Sequence, residues 1–293
     1  MDVKILLIGS RGQLGRDIQR CAANNFSQFS LQCVDVDELD ITQAETTLRF
    51  CQQHQPAFII NCAAYTAVDK AEDEPEKAYD INVTGVSNLT SAAAAVNAYL
   101  IHISTDYVFD GRSNKPYTEG DATNPLSVYG KTKLAGEQAA LSYERSLVIR
   151  TAWLYAIEGN NFVNTMLRLG NERSSINVVN DQYGSPTYAY DLAEAILFVI
   201  KQVTENAANF RKGIFHYTND GAVSWFEFAR KVMEFAQLSC NVLPVASTEY
   251  PTKAPRPSYS VLSKKKIEQT YHLTIPSWEN GLQRYFEQKN NIA

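Results

Sequence analysis

The chain has 293 residues, of which 45% are hydrophobic, and a formal net charge of -5. This length is enough to bury a sizeable core in one large domain or two. The acidic balance argues against a nucleic-acid partner, which usually requires a basic face. No apolar stretch is long enough for a membrane span, and the first residues enter a strand-like run instead of a signal peptide. We therefore expect a cytoplasmic protein with neither a nucleic-acid nor a membrane partner.

The first predicted element is a buried strand over residues 3–8, followed directly by a glycine-rich turn and the start of a helix. In such a turn Gly9 would permit the tight bend, Gly12 the close approach of backbone to a phosphate, and Gly15 the packing of helix on strand. This arrangement places a pyrophosphate on the amides of a helix N-terminus. Because the spacing is GxxGxxG and not GxGxxG, the prediction depends on this context. An ordinary strand-to-helix turn remains the alternative.

A second strand is predicted over residues 31–35, and it ends at Asp35, 20 residues after Gly15. A carboxylate there is placed to accept hydrogen bonds from the hydroxyls of an adenosine ribose. Asp37 adds negative charge, and both acids disfavour a 2′-phosphate, which favours NADH over NADPH. Arg11 in the glycine loop weakens that preference because it could pair with such a phosphate. For Asp35, a simple turn carboxylate is the alternative.

Further apolar strands are expected near residues 57, 100 and 147, with helix-like segments between them, including an alanine-rich one over 76–98. This alternation predicts the α/β class, with a Rossmann-like, doubly wound parallel sheet and helices on both faces.

After residue 153 the alternation loosens into a helix over 160–169, a strand over 176–179 and an apolar helix over 191–203. We expect residues 1–153 to form mainly the dinucleotide-binding domain. Residues 154–293 are expected to return partly to the sheet and partly to form a smaller C-terminal substrate-binding lobe.

Two hydroxyls, Ser104 and Thr105, follow the strand that ends near Ile103. They would emerge at the carboxyl edge of the sheet, where doubly wound folds bind ligands. A hydroxyl there can hold a carbonyl oxygen of a substrate. Capping of a helix or turn is the alternative for such a pair.

Tyr129 lies four residues before Lys133 in a segment that reads as helical from Pro125 onward. Residues at i and i+4 share a helix face, and an ammonium beside a phenol lowers the pKa of the tyrosine. A tyrosine of this kind can exchange a proton with a substrate oxygen near neutral pH. Taken alone, this spacing is weak evidence, and a chance surface pair is the favoured interpretation.

Together these motifs resemble the extended short-chain dehydrogenase/reductase family, and within it the branch that reduces dTDP-linked 4-keto-6-deoxy sugars. The similar segments run in family order across nearly the whole chain, at residues 9–15, 61–69, 104–111, 129–137, 150–155, 181–187 and 256–257. Several of them are long, so chance is a poor explanation.

The resemblance implies that Thr105, Tyr129 and Lys133 are the catalytic hydroxyl, acid and lysine. Thr105 is preferred to Ser104 because this branch has threonine where the wider family usually has serine. Substrate contacts are implied for Thr105, Asp106, Trp153 and Arg256, whose guanidinium suits a diphosphate. The implied cofactor contacts are Gly9, Gly12, Gln13, Leu14, Gly15, Asp35, Asp40, Ile41, Ala64, Tyr65, Thr66, Tyr129 and Lys133.

The chemistry implied by the resemblance is reduction of dTDP-6-deoxy-L-lyxo-4-hexulose to dTDP-L-rhamnose, a precursor for lipopolysaccharide and O-antigen biosynthesis. NADH or NADPH would deliver hydride to the 4-keto carbon while Tyr129 donates a proton. Two alternatives stay open. One is a reductase or epimerase of another nucleotide sugar, and the other is a non-enzymatic protein resembling the regulatory beta subunit of methionine adenosyltransferase.

Some relatives form dimers bridged by magnesium through glutamates, and this sequence departs from that pattern. Asp17 and Tyr190 stand at two of the positions, and no clear counterpart of the third follows Glu287. Because a tyrosine cannot replace a carboxylate there, the sequence does not support magnesium. The five cysteines and four histidines also show no metal-ligand spacing, and His102 is expected to pack or cap. We therefore expect no metal site and a monomer or metal-independent homodimer.

Overall fold

The computed structural model describes residues 3–292 of the chain. The strands in chain order are β1 Val3–Ile8, β2 Phe29–Val34, β3 Phe58–Asn61, β4 Tyr99–Thr105, β5 Ser146–Thr151, β6 Leu154–Tyr155, β7 Ser175–Val179, β8 Tyr183–Gly184, β9 Thr187–Tyr188, β10 Gly213–His216, β11 Val223–Ser224 and β12 Asn241–Val245. The helices are α1 Gln13–Asn25, α2 Ala44–His54, α3 Val68–Ala71, α4 Pro75–Tyr79, α5 Gly85–Ala95, α6 Val128–Leu141, α7 Phe162–Glu172, α8 Ala189–Glu205, α9 Trp225–Phe235, α10 Lys265–Tyr271 and α11 Trp278–Ile292.

Six strands form the central sheet in the order β10-β5-β4-β3-β1-β2, and each neighbouring pair is parallel. The chain moves from β1 outward to β2 and then returns to place β3 on the other side of β1. In an open parallel sheet such a reversal leaves a crevice at the carboxyl ends of the two strands, where ligands bind. The predicted α/β doubly wound sheet is therefore confirmed.

Each face of the sheet carries its own hydrophobic core. Side chains alternate along a strand, so Ile5 and Leu7 of β1 pack on one face while Leu6 and Ile8 pack on the other. The first core includes residues of α1 and α8, and the second includes residues of α2 and α5. Burial on both faces explains why the central strands are continuous apolar runs in the sequence.

The strands predicted near residues 3, 31, 57, 100 and 147 are confirmed. The single helix predicted over 76–98 is wrong, because a π-helical turn at Asp80–Thr84 separates α4 from α5. This turn places Asn82 inward, where its side chain accepts from the backbone N–H of Tyr65 at 2.9 Å and donates to the Thr132 hydroxyl at 3.1 Å. Such π-helical insertions occur frequently at functional sites.

Helix α6 begins at Val128, so the prediction of helix from Pro125 onward is also wrong. The Ser127 hydroxyl caps the helix by accepting from the backbone N–H of Gly130 at 3.1 Å. A cap residue has extended backbone angles, and for this reason the helix cannot continue back through Ser127 to the proline. A Cβ on Gly130 would collide with the carbonyl oxygen of Tyr107, so the helix start packs closely on the chain after β4.

The C-terminal half contributes both to the sheet and to a separate group of small elements. Strand β10 extends the central sheet and α8 packs along α1. The pairs β7–β12, β6–β9 and β8–β11 form three two-stranded sheets outside it. The elements predicted over 160–169, 176–179 and 191–203 correspond to α7, β7 and α8. Among residues 3–292, no helix has both the length and the apolar character that crossing a bilayer requires.

Candidate active site

The glycine loop connects β1 to α1 and lies against the end of β3. Gly9 has a φ of +74°, and a Cβ there would lie 2.7 Å from the Ala63 nitrogen. A Cβ on Gly15 would collide with the Gly9 carbonyl oxygen, so helix and loop are in backbone contact. Gly12 is the N-cap of α1 and provides no side chain to cap the amides of Leu14 and Gly15. The loop has the turn and close packing expected of a pyrophosphate cradle.

Acidic residues around Arg11 lie where an adenosine ribose is expected. The Arg11 backbone N–H donates to Asp35 Oδ2 at 3.0 Å, and its guanidinium reaches Asp37 at 2.6 Å and Glu38 at 3.4 Å. The Arg11 side chain is half exposed. The acids that would repel the 2′-phosphate of NADPH are therefore bonded to Arg11, the residue that could pair with that phosphate. The residues that favour NADH and the residue that favours NADPH form one cluster.

The remaining predicted cofactor residues lie on the loops after β2 and β3. Asp40 accepts from the backbone N–H of Thr42 at 2.9 Å, and Ile41 is buried against Gly85. After β3, Ala64 is half-buried and Thr66 is exposed. Between them Tyr65 is buried, and its hydroxyl donates to Glu74 at 2.8 Å.

The three predicted catalytic residues come from two neighbouring elements. Thr105 is the last residue of β4, and Tyr129 and Lys133 lie on the first turns of α6. The Thr105 hydroxyl donates to Asp106 Oδ1 at 3.0 Å. Burial raises the pKa of Tyr129 to about 12, while the nearby Thr105 hydroxyl partly lowers it. Tyr129 therefore carries its proton at neutral pH and can act as an acid.

The predicted effect of Lys133 on Tyr129 is not what the structure shows. Lys133 is 2% exposed, and its Nζ donates to the carbonyl oxygen of Ile103 at 2.7 Å, so the amine faces strand β4. Burial lowers the pKa of Lys133 to about 8, and Glu137 opposes that shift. The expectation that Lys133 lowers the pKa of Tyr129 was wrong because it considered only the spacing of the two residues. Burial disfavours the charged form of each, which raises the pKa of Tyr129 and lowers that of Lys133.

Ser104 and Thr105 have different partners, which bears on the choice between them. The Ser104 hydroxyl donates to Glu137 Oε1 at 2.5 Å. The same carboxylate accepts from Arg150 Nε at 2.8 Å and Nη2 at 2.7 Å, and both charged side chains are almost fully buried. Ser104 therefore belongs to a buried structural cluster, and Thr105 is the hydroxyl on the side of Tyr129.

The predicted diphosphate residue Arg256 is paired within the chain. Its Nη2 lies 2.5 Å from Asp69 Oδ2, and its guanidinium lies 6.0 Å from the ring centroid of Tyr107. Tyr107 in turn packs edge-on against Tyr129, with ring centroids 5.5 Å apart. The Tyr107 ring therefore contacts both Arg256 and Tyr129. Burial raises the pKa of Asp106 to about 6, and its Oδ2 has no hydrogen-bond partner among residues 3–292.

Trp153 is held in the left-handed region with a φ of +48°. Its indole stacks on Trp225 with ring centroids 3.3 Å apart, and a Cβ on Gly184 would collide with the ring at Cε2. A substrate contact by Trp153 would therefore involve the part of the indole that these two residues leave uncovered.

Several residues of the site were not found from the sequence. Asn82 and Glu72 hold the start of the catalytic helix, since Asn82 bonds Thr132 and Glu72 accepts from the Val128 N–H at 2.8 Å. Asn161, which was not predicted, donates to the predicted cofactor residue Gln13 at 3.0 Å and joins the glycine loop to the C-terminal half. Apart from helix-forming character around Asn82, no local sequence signal marks these long-range contacts.

The positions discussed for a bridging metal have other partners. Asp17 is fully buried and forms an ion pair with Arg20, and burial raises the pKa of Asp17 to about 6. The Tyr190 hydroxyl accepts from Asn25 at 3.4 Å. Across residues 3–292 there is no group of three or more His, Cys, Asp and Glu side chains arranged to hold a metal ion.

The sequence model of the RmlD substrate binding domain family matches residues 3–291. The chain belongs to this family. It is 43% identical over 291 residues to the dTDP-4-dehydrorhamnose reductase of Escherichia coli strain K12, covering 96% of both chains. Among solved structures, the Clostridium acetobutylicum dTDP-4-dehydrorhamnose reductase superposes with a TM-score of 0.92 at 41% identity, covering 98% of this chain and 99% of that one. The Bacillus anthracis enzyme, solved in complex with NADP, also has a TM-score of 0.92 at 40% identity, with 98% and 100% coverage. Membership in this family agrees with the resemblance noted from the sequence.

Proposed function

We propose that this chain is a dTDP-4-dehydrorhamnose reductase that uses NADH or NADPH to reduce dTDP-6-deoxy-L-lyxo-4-hexulose to dTDP-L-rhamnose. The observation that carries the proposal is that Thr105 and Tyr129 lie at the carboxyl edge of a doubly wound sheet, the same edge from which the glycine loop emerges. Full-length similarity to reductases, one of them solved with NADP, supports the same reaction.

The glycine loop and the loop after β3 would hold the cofactor, which supplies the hydride when bound. The backbone contacts at Gly9 and Gly15 leave no space for side chains, and the uncapped first turn of α1 presents amides that suit a pyrophosphate. The acids around Arg11 would bind the ribose hydroxyls. Release of Arg11 from Asp37 would let the guanidinium pair with a 2′-phosphate, so the cluster accommodates either cofactor.

The chain's own residues would supply the proton and hold the substrate. Tyr129 would donate its phenolic proton to the alkoxide that forms at the 4-keto oxygen, and the Thr105 hydroxyl would orient that oxygen. Asp106, which directly follows Thr105, would accept from a sugar hydroxyl. Arg256 would exchange Asp69 for the diphosphate, since a guanidinium binds phosphate oxygens in a fork.

The two halves of the chain would have different roles. Residues 1–153 would mainly bind the dinucleotide, and residues 154–293 would complete the sheet and form the substrate lobe. The cysteines described by the structure are free thiols, which suits a reducing cytoplasm. A monomer or a metal-independent homodimer is the assembly we propose.

Replacement of Thr105 with valine is expected to lower kcat by about 10²-fold, the usual loss when one donor to a developing oxyanion is removed. Ser104→Ala is the matched control, because the Ser104 hydroxyl donates its hydrogen bond to Glu137 and not to the substrate. Steady-state kinetics of the two variants will show the difference. A larger loss of kcat in Ser104→Ala than in Thr105→Val would reverse the assignment.

Arg256→Ala is expected to raise KM for the dTDP-sugar by about 10- to 100-fold with little change in kcat, because a charge-assisted hydrogen bond contributes about 1.5–3 kcal/mol. Lys253→Ala is the control. Lys253 lies on the same loop as Arg256 and forms an exposed ion pair with Asp73. KM measured for both variants decides the point. An unchanged KM in Arg256→Ala would remove this residue from the binding site.

The proposal is tested by following nicotinamide absorbance with the purified protein and the dTDP-linked 4-keto sugar, in separate reactions with NADH and NADPH. Sugar-dependent oxidation of either cofactor supports the proposal and ranks the two. A folded protein that binds cofactor and oxidises neither would contradict it.

A further inference from the structure

A buried histidine lies directly behind the catalytic lysine. His102 of β4 is fully buried, and Asn61 stands opposite it on β3 in the strand register. The Asn61 amide nitrogen lies 3.1 Å from His102 Nδ1, and Lys133 Nζ lies 3.4 Å from His102 Nε2. The three side chains therefore form a continuous polar row in the core, and only Lys133 among them was implied in the reaction by the sequence.

The hydrogen bonds of Asn61 determine which nitrogen of His102 carries the proton. The backbone N–H of Ala63 donates to Asn61 Oδ1 at 3.0 Å, so the amide oxygen faces away from the histidine and the amide nitrogen faces it. An amide nitrogen can only donate, and Nδ1 must therefore be the acceptor. Burial and the charge of Lys133 hold the pKa of His102 well below its usual value, which keeps the ring neutral. The single ring proton is consequently on Nε2, facing Lys133.

This tautomer makes the contact with Lys133 depend on the charge of the lysine. An ammonium has three donors and no acceptor, so against His102 Nε2–H two donors face each other. A neutral amine has a lone pair that can accept from Nε2–H while still donating to the Ile103 carbonyl oxygen at 2.7 Å. The row is fully hydrogen-bonded only when Lys133 is neutral.

Other charged and titratable groups surround Lys133 and oppose this preference. Glu137, one turn further along α6, favours the ammonium, although Arg150 of β5 neutralises much of its charge. Burial raises the pKa of the nearby Cys62 thiol to about 12, so this group carries no charge near Lys133 at neutral pH. Tyr129 lies one turn earlier on the same helix. Lys133 is thus held between groups that favour each of its two charge states.

We propose that Asn61 and His102 are positioning residues, which orient the Lys133 amine and stabilise its neutral form so that Lys133 can return a proton to Tyr129 after each turnover. This inference rests on the proposed reduction. Tyr129 gives its phenolic proton to the substrate alkoxide and becomes a phenolate. The phenolate then regains a proton from the Lys133 ammonium through an intervening water, the neutral amine accepts the His102 N–H, and a solvent proton restores the ammonium.

The tautomer is tested on the protein alone by long-range ¹H–¹⁵N NMR of the histidine ring, with His102→Phe used to assign the signals. At neutral pH we expect His102 to carry its only proton on Nε2. A proton on Nδ1, or on both nitrogens, would overturn the proposal. This measurement does not depend on any sugar substrate, so failure of the reductase assay and failure of this inference are distinguishable.

Asn61→Asp tests the effect on Lys133 with a nearly isosteric change. A carboxylate can still accept from the Ala63 N–H but cannot donate to Nδ1, so it draws the ring proton to Nδ1 and presents an acceptor, Nε2, to Lys133. The midpoint of the Lys133 titration, followed by side-chain NMR and assigned with Lys133→Met, should rise by about one pH unit or more. The decline of kcat at alkaline pH should move upward with it, while KM at neutral pH stays unchanged. A uniform loss of kcat, without movement of that decline or of the titration, would show a merely structural role and refute the proposal.

Discussion

Replacement of Tyr129 with phenylalanine is expected to lower kcat by about 10²- to 10⁴-fold, the range typical of a lost general acid, while NADPH still binds. The ring itself packs edge-on against Tyr107 and belongs to a small core cluster, and phenylalanine preserves that packing. Since burial raises the pKa of Tyr129 to about 12, the native phenol holds its proton throughout the neutral range. The measurement is single-turnover reduction at saturating cofactor, together with the dissociation constant of NADPH.

Tyr155→Phe is the matched control for this variant. Tyr155 is fully buried, and its hydroxyl has no hydrogen-bond partner in the part of the chain that the structure describes. It lies in the core on one face of the sheet, so loss of its hydroxyl should leave kcat unchanged. Retention of most activity in Tyr129→Phe, or an equal loss in Tyr155→Phe, would show that Tyr129 is not the proton donor.

Replacement of Glu137 with leucine is expected to lower the free energy of unfolding by about 3–5 kcal/mol, the usual cost when one partner of a buried ion pair is removed. The Arg150 guanidinium, 2% exposed, would lose both of its bonds to the carboxylate, and the Ser104 hydroxyl would lose its acceptor. Urea denaturation of the purified variant measures the change.

Two further variants separate burial from simple charge pairing. The double variant Glu137→Leu/Arg150→Met should recover much of the lost stability, because it leaves no unpaired buried charge. Glu172→Leu breaks the exposed pair with Arg168 and should cost less than about 1 kcal/mol. If Glu137→Leu were no more destabilising than Glu172→Leu, the buried cluster would not stabilise the fold as described.

The fold was largely predictable because its strongest constraints are local. Parallel strands buried on both faces must be apolar throughout, so β1, β3, β4 and β5 stand out in the sequence. The glycine loop was also predictable from the sequence, since the positive φ of Gly9 and the backbone contact at Gly15 require residues without side chains. These requirements act within a few residues, and a sequence pattern records them directly.

The parts that could not be predicted depend on contacts between distant segments. The π-helical turn exists where Asn82 bonds both Tyr65 and Thr132, and neither partner lies nearby in the sequence. Arg256 meets Asp69 across 187 residues, so its pairing had no local signal. The spacing of Tyr129 and Lys133 correctly placed both on one helix, but only the packed structure shows how far burial shifts their pKa values.

The most direct test of the central claim is transfer of deuterium from the C4 position of deuterated NADPH to dTDP-6-deoxy-L-lyxo-4-hexulose, read by mass spectrometry and NMR of the product. We predict one deuterium at C4 of dTDP-L-rhamnose for each NADPH consumed, and almost none formed by Tyr129→Phe in the same time. Interconversion of nucleotide sugars without net oxidation of the cofactor would instead indicate an epimerase. That result, or no turnover by a folded protein that binds NADPH, would contradict the account.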